Sequence, residues 1–176
     1  IMEFLVLYSS RTGNTEKVAE AIFDALPGRS KLIEPVEDYD GTEDPGLVFL
    51  GFPVNRGSCP MDVADALEKL EGKRLALFAT CGMGDETYQQ RIRHNIDVWM
   101  PDDYIDLGFF CCQGAIAPAF LKELREHGES VSPQMLEAME AQQKNSVGHP
   151  DAADLDQARQ FTKEVLGRAG RKEPMR

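Results

Sequence analysis

Apolar residues in this chain come in short unbroken runs, separated by stretches in which they recur every three or four positions. The strong runs are MEFLVLYS (2–9), GLVFLGF (46–52), KRLALFAT (73–80) and DYIDLGFFCCQG (103–114), with a weaker one, SKLIEPV, at 30–36. The first of these lacks clean apolar–polar alternation, as expected of a strand buried on both faces. Between the runs, Val18, Ala21, Ile22, Ala25 and Leu26 fall at helical spacing within 13–26 and stop at Pro27 and Gly28. Val63, Ala64, Leu67 and Leu70 predict a helix over 60–71, and Ile92, Ile96 and Trp99 one over 86–99. Strands alternating with helices imply βαβ units and a parallel sheet with right-handed crossovers.

After Gly114 the rhythm changes, and 117–127 and 132–145 predict two successive helices. The stretch from Cys111 to Asp151 is too long for an ordinary connection and too helical for a disordered one. Asp151 then caps a last helix with Leu155, Ala158, Phe161, Val165 and Leu166 on one face. The tail GRAGRKEPMR, from Gly167, is basic and is expected to fray. Ile1, standing before Met2, reads as an appended residue outside the fold. The expectation is one α/β domain over 1–176, doubly wound, with a helical insertion at about 115–150 after the fifth strand.

In a doubly wound sheet the ligand sits beyond the carboxyl ends of the strands, where strand order reverses. The loops that matter are therefore 9–15, 52–60, 80–88 and 113–118. The first, SSRTGNT, opens a helix, where free amides and the helix dipole favour an anion. Gly13 allows close backbone approach, and Ser10, Thr12 and Thr15 offer hydroxyls to phosphate oxygens. A polar turn with one capping hydroxyl is the competing reading. A cap uses one hydroxyl where this loop has several, which favours phosphate. Neither GxxxxGK[ST] nor GxGxxG is present. A phosphatase would need a cysteine in this loop. A receiver domain would need acidic residues where Ser9, Ser10, Leu50 and Gly51 stand.

The spacing Ser10-x-Thr12-Gly13-x-Thr15, between first strand and first helix, resembles the phosphate-binding loop of the flavodoxin family. ATCGMGDETY (79–88) resembles that family's third loop, and the likeness spans roughly 2–114 plus the last helix. The resemblance implies a five-stranded parallel sheet in the order 2-1-3-4-5 and FMN as cofactor. It implies cofactor contacts from Ser9, Ser10, Arg11, Thr12, Gly13, Asn14 and Thr15. It also implies a ring edge along Thr80, Cys81, Gly82, Met83 and Gly84, followed by Asp85 as a further cofactor-binding residue and Tyr88 stacked on one flavin face. The second loop contributes Pro53, Val54, Asn55, Arg56 and Gly57 but departs from the better-known members. Where those carry an aromatic, Val54 and Asn55 stand here, with Phe52 deeper, so that face is either open or covered by 115–150. Gly57 suits the peptide flip by which, in the family, a carbonyl meets flavin N5–H. Arg56 either favours reduced, anionic flavin or is a solvated loop residue. The CQG turn, the helical insert and the His-Pro-Asp start of the last helix resemble a bacterial subgroup, some of whose members are associated with bilirubin reductase in gut bacteria.

Charge and composition narrow the partners. The formal charge of −11 disfavours nucleic acid and anionic membrane; it suits a redox partner with a basic face, or serves solubility. No run approaches the roughly 18 apolar residues of a membrane span, and the start lacks the signature of a signal peptide, so the cytoplasm is expected. Cys59, Cys81, Cys111 and Cys112 form no CxxC pair and read as free thiols. His94, His127 and His149 show no metal-ligand spacing, and Met135 and Met139 read as packing. The acidic stretch EDYDGTED (37–44) reads as a solvated loop or a docking patch. The resulting expectation is an electron carrier serving a partner reductase. Two alternatives remain: an NAD(P)H-dependent FMN oxidoreductase acting on quinones or similar acceptors, and a flavin-free docking module.

Overall fold

A computed structural model describes residues 2–128 and 130–171. Five strands, β1 (Phe4–Tyr8), β2 (Lys31–Pro35), β3 (Leu47–Pro53), β4 (Arg74–Cys81) and β5 (Ile105–Gln113), form one parallel sheet in the order β2-β1-β3-β4-β5. The helices are α1 (Asn14–Ala25), α2 (Met61–Glu68), α3 (Glu86–Ile96), α4 (Pro118–His127), α5 (Pro133–Ser146) and α6 (Ala152–Ala169). This is the strand order the resemblance implies, and it reverses direction between β1 and β3.

The unbroken apolar runs are explained by two cores, one on each face. Leu5 and Leu7 point into a core with Val63, Leu67 and Leu70 around α2 and Ile92 and Ile96 of α3. Val6, between them in sequence, points the other way, to Val18 and Ile22 of α1 and Ala158, Phe161 and Val165 of α6. Alternate side chains thus find apolar partners on both sides, so the strands need no polar face. Phe161 fixes α6 to the sheet, edge-on to Phe49 at 6.4 Å and stacked on Phe110 at 5.6 Å.

Two expectations need correction. Trp99 leaves the row of Ile92 and Ile96 because the chain tightens to a 3-10 turn at 97–99, and it is 39% exposed. Gly167, Arg168 and Ala169 continue α6 rather than fraying, and the Arg168 guanidinium donates to the Leu107 carbonyl at 2.7 Å. The remainder of the tail, 172–176, and Ile1 lie outside the described residues.

The insert forms a helical hairpin. Arg125 of α4 bonds Glu140 of α5 at 2.6 Å, and of each helix a single residue, Leu121 and Ser146, is buried. Its roots are drawn together where the Ala115 amide donates to the His149 carbonyl (2.7 Å) and the Ile116 amide to Ser146 Oγ (2.9 Å). That closure holds Ala115–Ala117 against the carboxyl end of the sheet.

Candidate functional site

The turns after β1, β3, β4 and β5 converge on a cleft of about 240 Å³. Arg11, Thr12 and Asn14 line one end, Pro53 and Val54 one side, and Thr80, Cys81 and Gly82 the floor. Gly114–Ala117 and Phe120 form the remaining wall.

The first loop divides its hydroxyls between scaffold and ligand. Ser9 donates to Asp62 of α2 at 2.6 Å, and Thr15 is buried in a 3.0 Å bond with Thr80 of β4. Ser10 Oγ accepts the amides of Gly13 (3.1 Å) and Glu16 (3.4 Å), curling the loop over the helix start. Gly13 holds φ at 91°, a left-handed conformation that a side chain strains. The Asn14 amide group donates to the Ala115 carbonyl at 3.0 Å, tying this loop to the root of the hairpin. Among the described residues, no protein acceptor meets the amides of Arg11, Thr12, Asn14 and Thr15, and the Thr12 hydroxyl has no protein partner. Free amides at a helix start, one free hydroxyl and an exposed guanidinium at Arg11 make an anion-binding donor set.

The second loop turns tightly outside the cleft. Asn55 and Ser58 exchange backbone bonds of 2.8 and 3.0 Å around Arg56 (φ 50°) and Gly57 (φ 78°), and Arg56 is exposed. The Gly57 carbonyl already accepts from Asn95 of α3 at 2.9 Å. Asn55, Arg56 and Gly57 are not among the residues lining the cleft, whereas Pro53 and Val54 are.

In the third loop, Asp85 caps α3 by accepting the Thr87 amide at 3.0 Å, and Gln113 donates to the Gly82 carbonyl at 3.0 Å. A Cβ at Gly82 would stand 2.6 Å from Ile116, so glycine there is what lets the Ile116 side chain of the wall meet the floor of the cleft. Tyr88 follows on α3. It is half-buried on α3 against the core, and burial, then the neighbouring Cys81 and Cys111, raises its pKa. Met83, Gly84, Asp85 and Tyr88 do not line the cleft, while Phe120, 46% exposed, does. Sequence reasoning missed Gly114–Ala117 and Phe120 as individual residues. The available signal was Ile116 and Phe120, four apart, directly following the fifth strand end.

One cluster arises that spacing did not suggest. Ligand atoms of His149, Asp151 and Asp154 lie within 4.8 Å of one another. Asp154 there accepts from the Asp151 amide (2.8 Å) and meets His149 Nδ1 (2.6 Å), while Asp151 accepts the Asp154 amide (2.9 Å). These contacts form a capping box that starts α6.

A flavodoxin-domain family profile matches residues 5–163. This chain belongs to the flavodoxin family. It is 33% identical to the flavodoxin-like domain-containing protein BilS of Clostridioides difficile, over 96% of this chain and 98% of that one. A protein of the same description from Clostridium symbiosum is 26% identical over the same shares. A solved flavodoxin from Streptococcus pneumoniae superposes with a TM-score of 0.59 at 14% identity, covering 94% of this chain and 98% of that one. Family and fold make this an FMN-binding electron-transfer protein. The free amides and hydroxyl at the start of α1 suit the FMN phosphate. Pro53, Val54, Ile116 and Phe120 give the cleft apolar walls suited to a flat ring.

Proposed function

We propose that this flavodoxin holds FMN non-covalently in the cleft and carries electrons to a partner reductase acting on bilirubin or a related tetrapyrrole. The observation that carries the cofactor placement is the set of unpartnered amides and the Thr12 hydroxyl at the mouth of an apolar-walled cleft. The likeness to two BilS proteins over nearly their whole length supports the choice of acceptor. FMN, when bound, supplies the one- and two-electron chemistry. The chain's residues bind and position. The amides of Thr12, Asn14 and Thr15 and the Thr12 hydroxyl take the phosphate. Val54 and Ile116 exclude water from the ring, and Gln113, through the Gly82 carbonyl, fixes the floor. Asn95 of α3 holds the Gly57 carbonyl and so fixes the turn of the second loop, and Asp85 shapes the third loop by capping α3.

The net charge of −11 supports a partner with a basic face, and no helix among the described residues is long and apolar enough to cross a membrane. The deciding experiment mixes the FMN-loaded protein with NADPH, alone and then with a reductase isolated from the same cells. Slow reduction alone and rapid reduction with the reductase are expected. Rapid reduction by NADPH alone would replace the carrier with a self-sufficient oxidoreductase.

A further inference from the structure

The sulfurs of Cys81 and Cys111 lie 3.7 Å apart on the α2–α3 face of the sheet. Cys81 ends β4 and lines the cofactor cleft. Its sulfur has polar company: the Met83 carbonyl at 3.0 Å and the Gln89 side-chain amide at 4.0 Å. Cys112 points to the opposite face, among Phe161 and Val165, as an apolar packing group would. The contact between the two thiols holds Cys81 below the ordinary thiol value, and the same contact, with burial, pushes Cys111 above it. Cys81, the one of the two that lines the cleft, is the thiol a small disulfide meets first, and Cys111 stands behind it.

Register sets the cost of joining them. Ala79 pairs with Cys111 and Cys81 with Gln113, so the cysteines are diagonal neighbours. Diagonal neighbours in a sheet stand about 7–8 Å apart, whereas a disulfide spans roughly 4.4–6.8 Å between Cα atoms. The strands are already hydrogen-bonded neighbours, so bridging must shorten the two-residue offset by shifting the end of β4 back along β5. The slack lies in the Gly82–Gly84 turn, which carries the bond from Gln113 and the seat of Ile116.

We propose that Cys81, in the floor of the cleft, and Cys111, packed behind it, form a redox-responsive thiol pair: small disulfides such as oxidised glutathione bridge them when the cleft is empty, and the bridged form takes up FMN poorly. This rests on the cofactor placement above. The Cys81 thiolate attacks one sulfur of the small disulfide and displaces its partner as a thiolate. Cys111 then gives up its proton to that thiolate and displaces the remaining small thiol from Cys81. A pair of protein thiols becomes one disulfide while the small disulfide becomes a pair of thiols, so electrons and protons balance.

The test uses reduced apoprotein exposed to oxidised glutathione, with and without FMN, then trapped with a maleimide and read by mass and peptide mapping. A Cys81–Cys111 cross-link that forms in the empty protein and is slowed by FMN is expected. Bridged protein should bind FMN about tenfold more weakly, the effect of displacing a wall contact or hydrogen bond. Cys111→Ser should stop at a glutathione adduct on Cys81, and Cys112→Ser should bridge as the parent does. No cross-link in the empty protein, a bridge through Cys112, bridging at the same rate with FMN present, or unchanged FMN affinity after bridging would each overturn the proposal. Titrating the reduced apoprotein with FMN reads the cofactor placement separately, because the cross-link is measured by mass whether or not flavin binds.

Discussion

Thr12 and Thr15 are three residues apart in one loop, yet their hydroxyls have opposite fates. Thr15 is buried against Thr80, and Thr12 faces the cleft with no protein partner. Thr12→Ala should weaken FMN binding by about 1.5–3 kcal/mol, the range for a hydrogen bond to a charged group, and leave apoprotein melting unchanged. Thr15→Val should do the reverse. It strands the buried Thr80 hydroxyl and should lower apoprotein stability by about 1–3 kcal/mol in a denaturant titration, with a smaller effect on FMN affinity. Equal losses of affinity in both variants would show that the loop acts as one phosphate-donating unit. The sequence shows that these hydroxyls crowd a strand-to-helix turn, but not which are already engaged. Their partners lie 65 residues away for Thr15 and 53 for Ser9, and they are set by how β4 and α2 pack beside the loop.

At the scale of elements, α6 shows how local and long-range terms combine. Phe161 contacts both Phe49 and Phe110, so Phe161→Ala should cost about 3–5 kcal/mol in chemical denaturation, the range for a deleted core ring. The helix start depends on pH as well. The Asp154 amide bonded to Asp151, helped by His149, holds the Asp151 carboxyl below its usual value. A folded-state pKa below the unfolded one gives stability that is present above the ordinary carboxylate range and lost as pH falls through the folded value. The melting-temperature advantage of the parent over Asp151→Ala should therefore begin to shrink as pH falls below about 4 and vanish at lower pH. Both strands and helices were legible because apolar runs and helical spacing report burial directly. The cleft wall was legible only as a segment, 113–118 and the insert behind it, without its individual residues. Ile116 and Phe120 look like ordinary insert residues until the hairpin roots close through Ala115–His149 and Ile116–Ser146. Tyr88, on α3, is half-buried beside Cys81 and Cys111, a neighbourhood the sequence does not show. Gly82→Ala tests the wall itself. Its new methyl would meet Ile116 at 2.6 Å, and FMN affinity should fall about tenfold while the sheet stays intact.

For the whole molecule, two electrostatic scales compete over any redox partner. The net charge of −11 acts at long range, whereas Arg11 and Arg56 place exposed positive charge at the cofactor end. At low ionic strength the Debye length is about 30 Å, comparable to a small domain, so an approaching acceptor feels the summed charge. Near physiological salt it shrinks to about 8 Å, and the local arginines weigh more. Oxidation of the FMN-loaded, reduced protein by a cationic small acceptor should therefore slow as salt is added, because attraction to the whole protein is screened. An anionic acceptor such as ferricyanide should speed up over the same range as repulsion fades, and the two rates should converge at high salt. Stopped-flow traces at the flavin absorbance band measure both. If the anionic acceptor is the faster one at low salt and slows on adding salt, Arg11 and Arg56 control the approach even at long range. The partner would then have to present an acidic face, contrary to the reading above. Charge reversal at Arg56, Arg56→Glu, locates the effect: it should change the anionic rate near physiological salt while leaving FMN affinity close to the parent's, since that side chain lies outside the cleft lining.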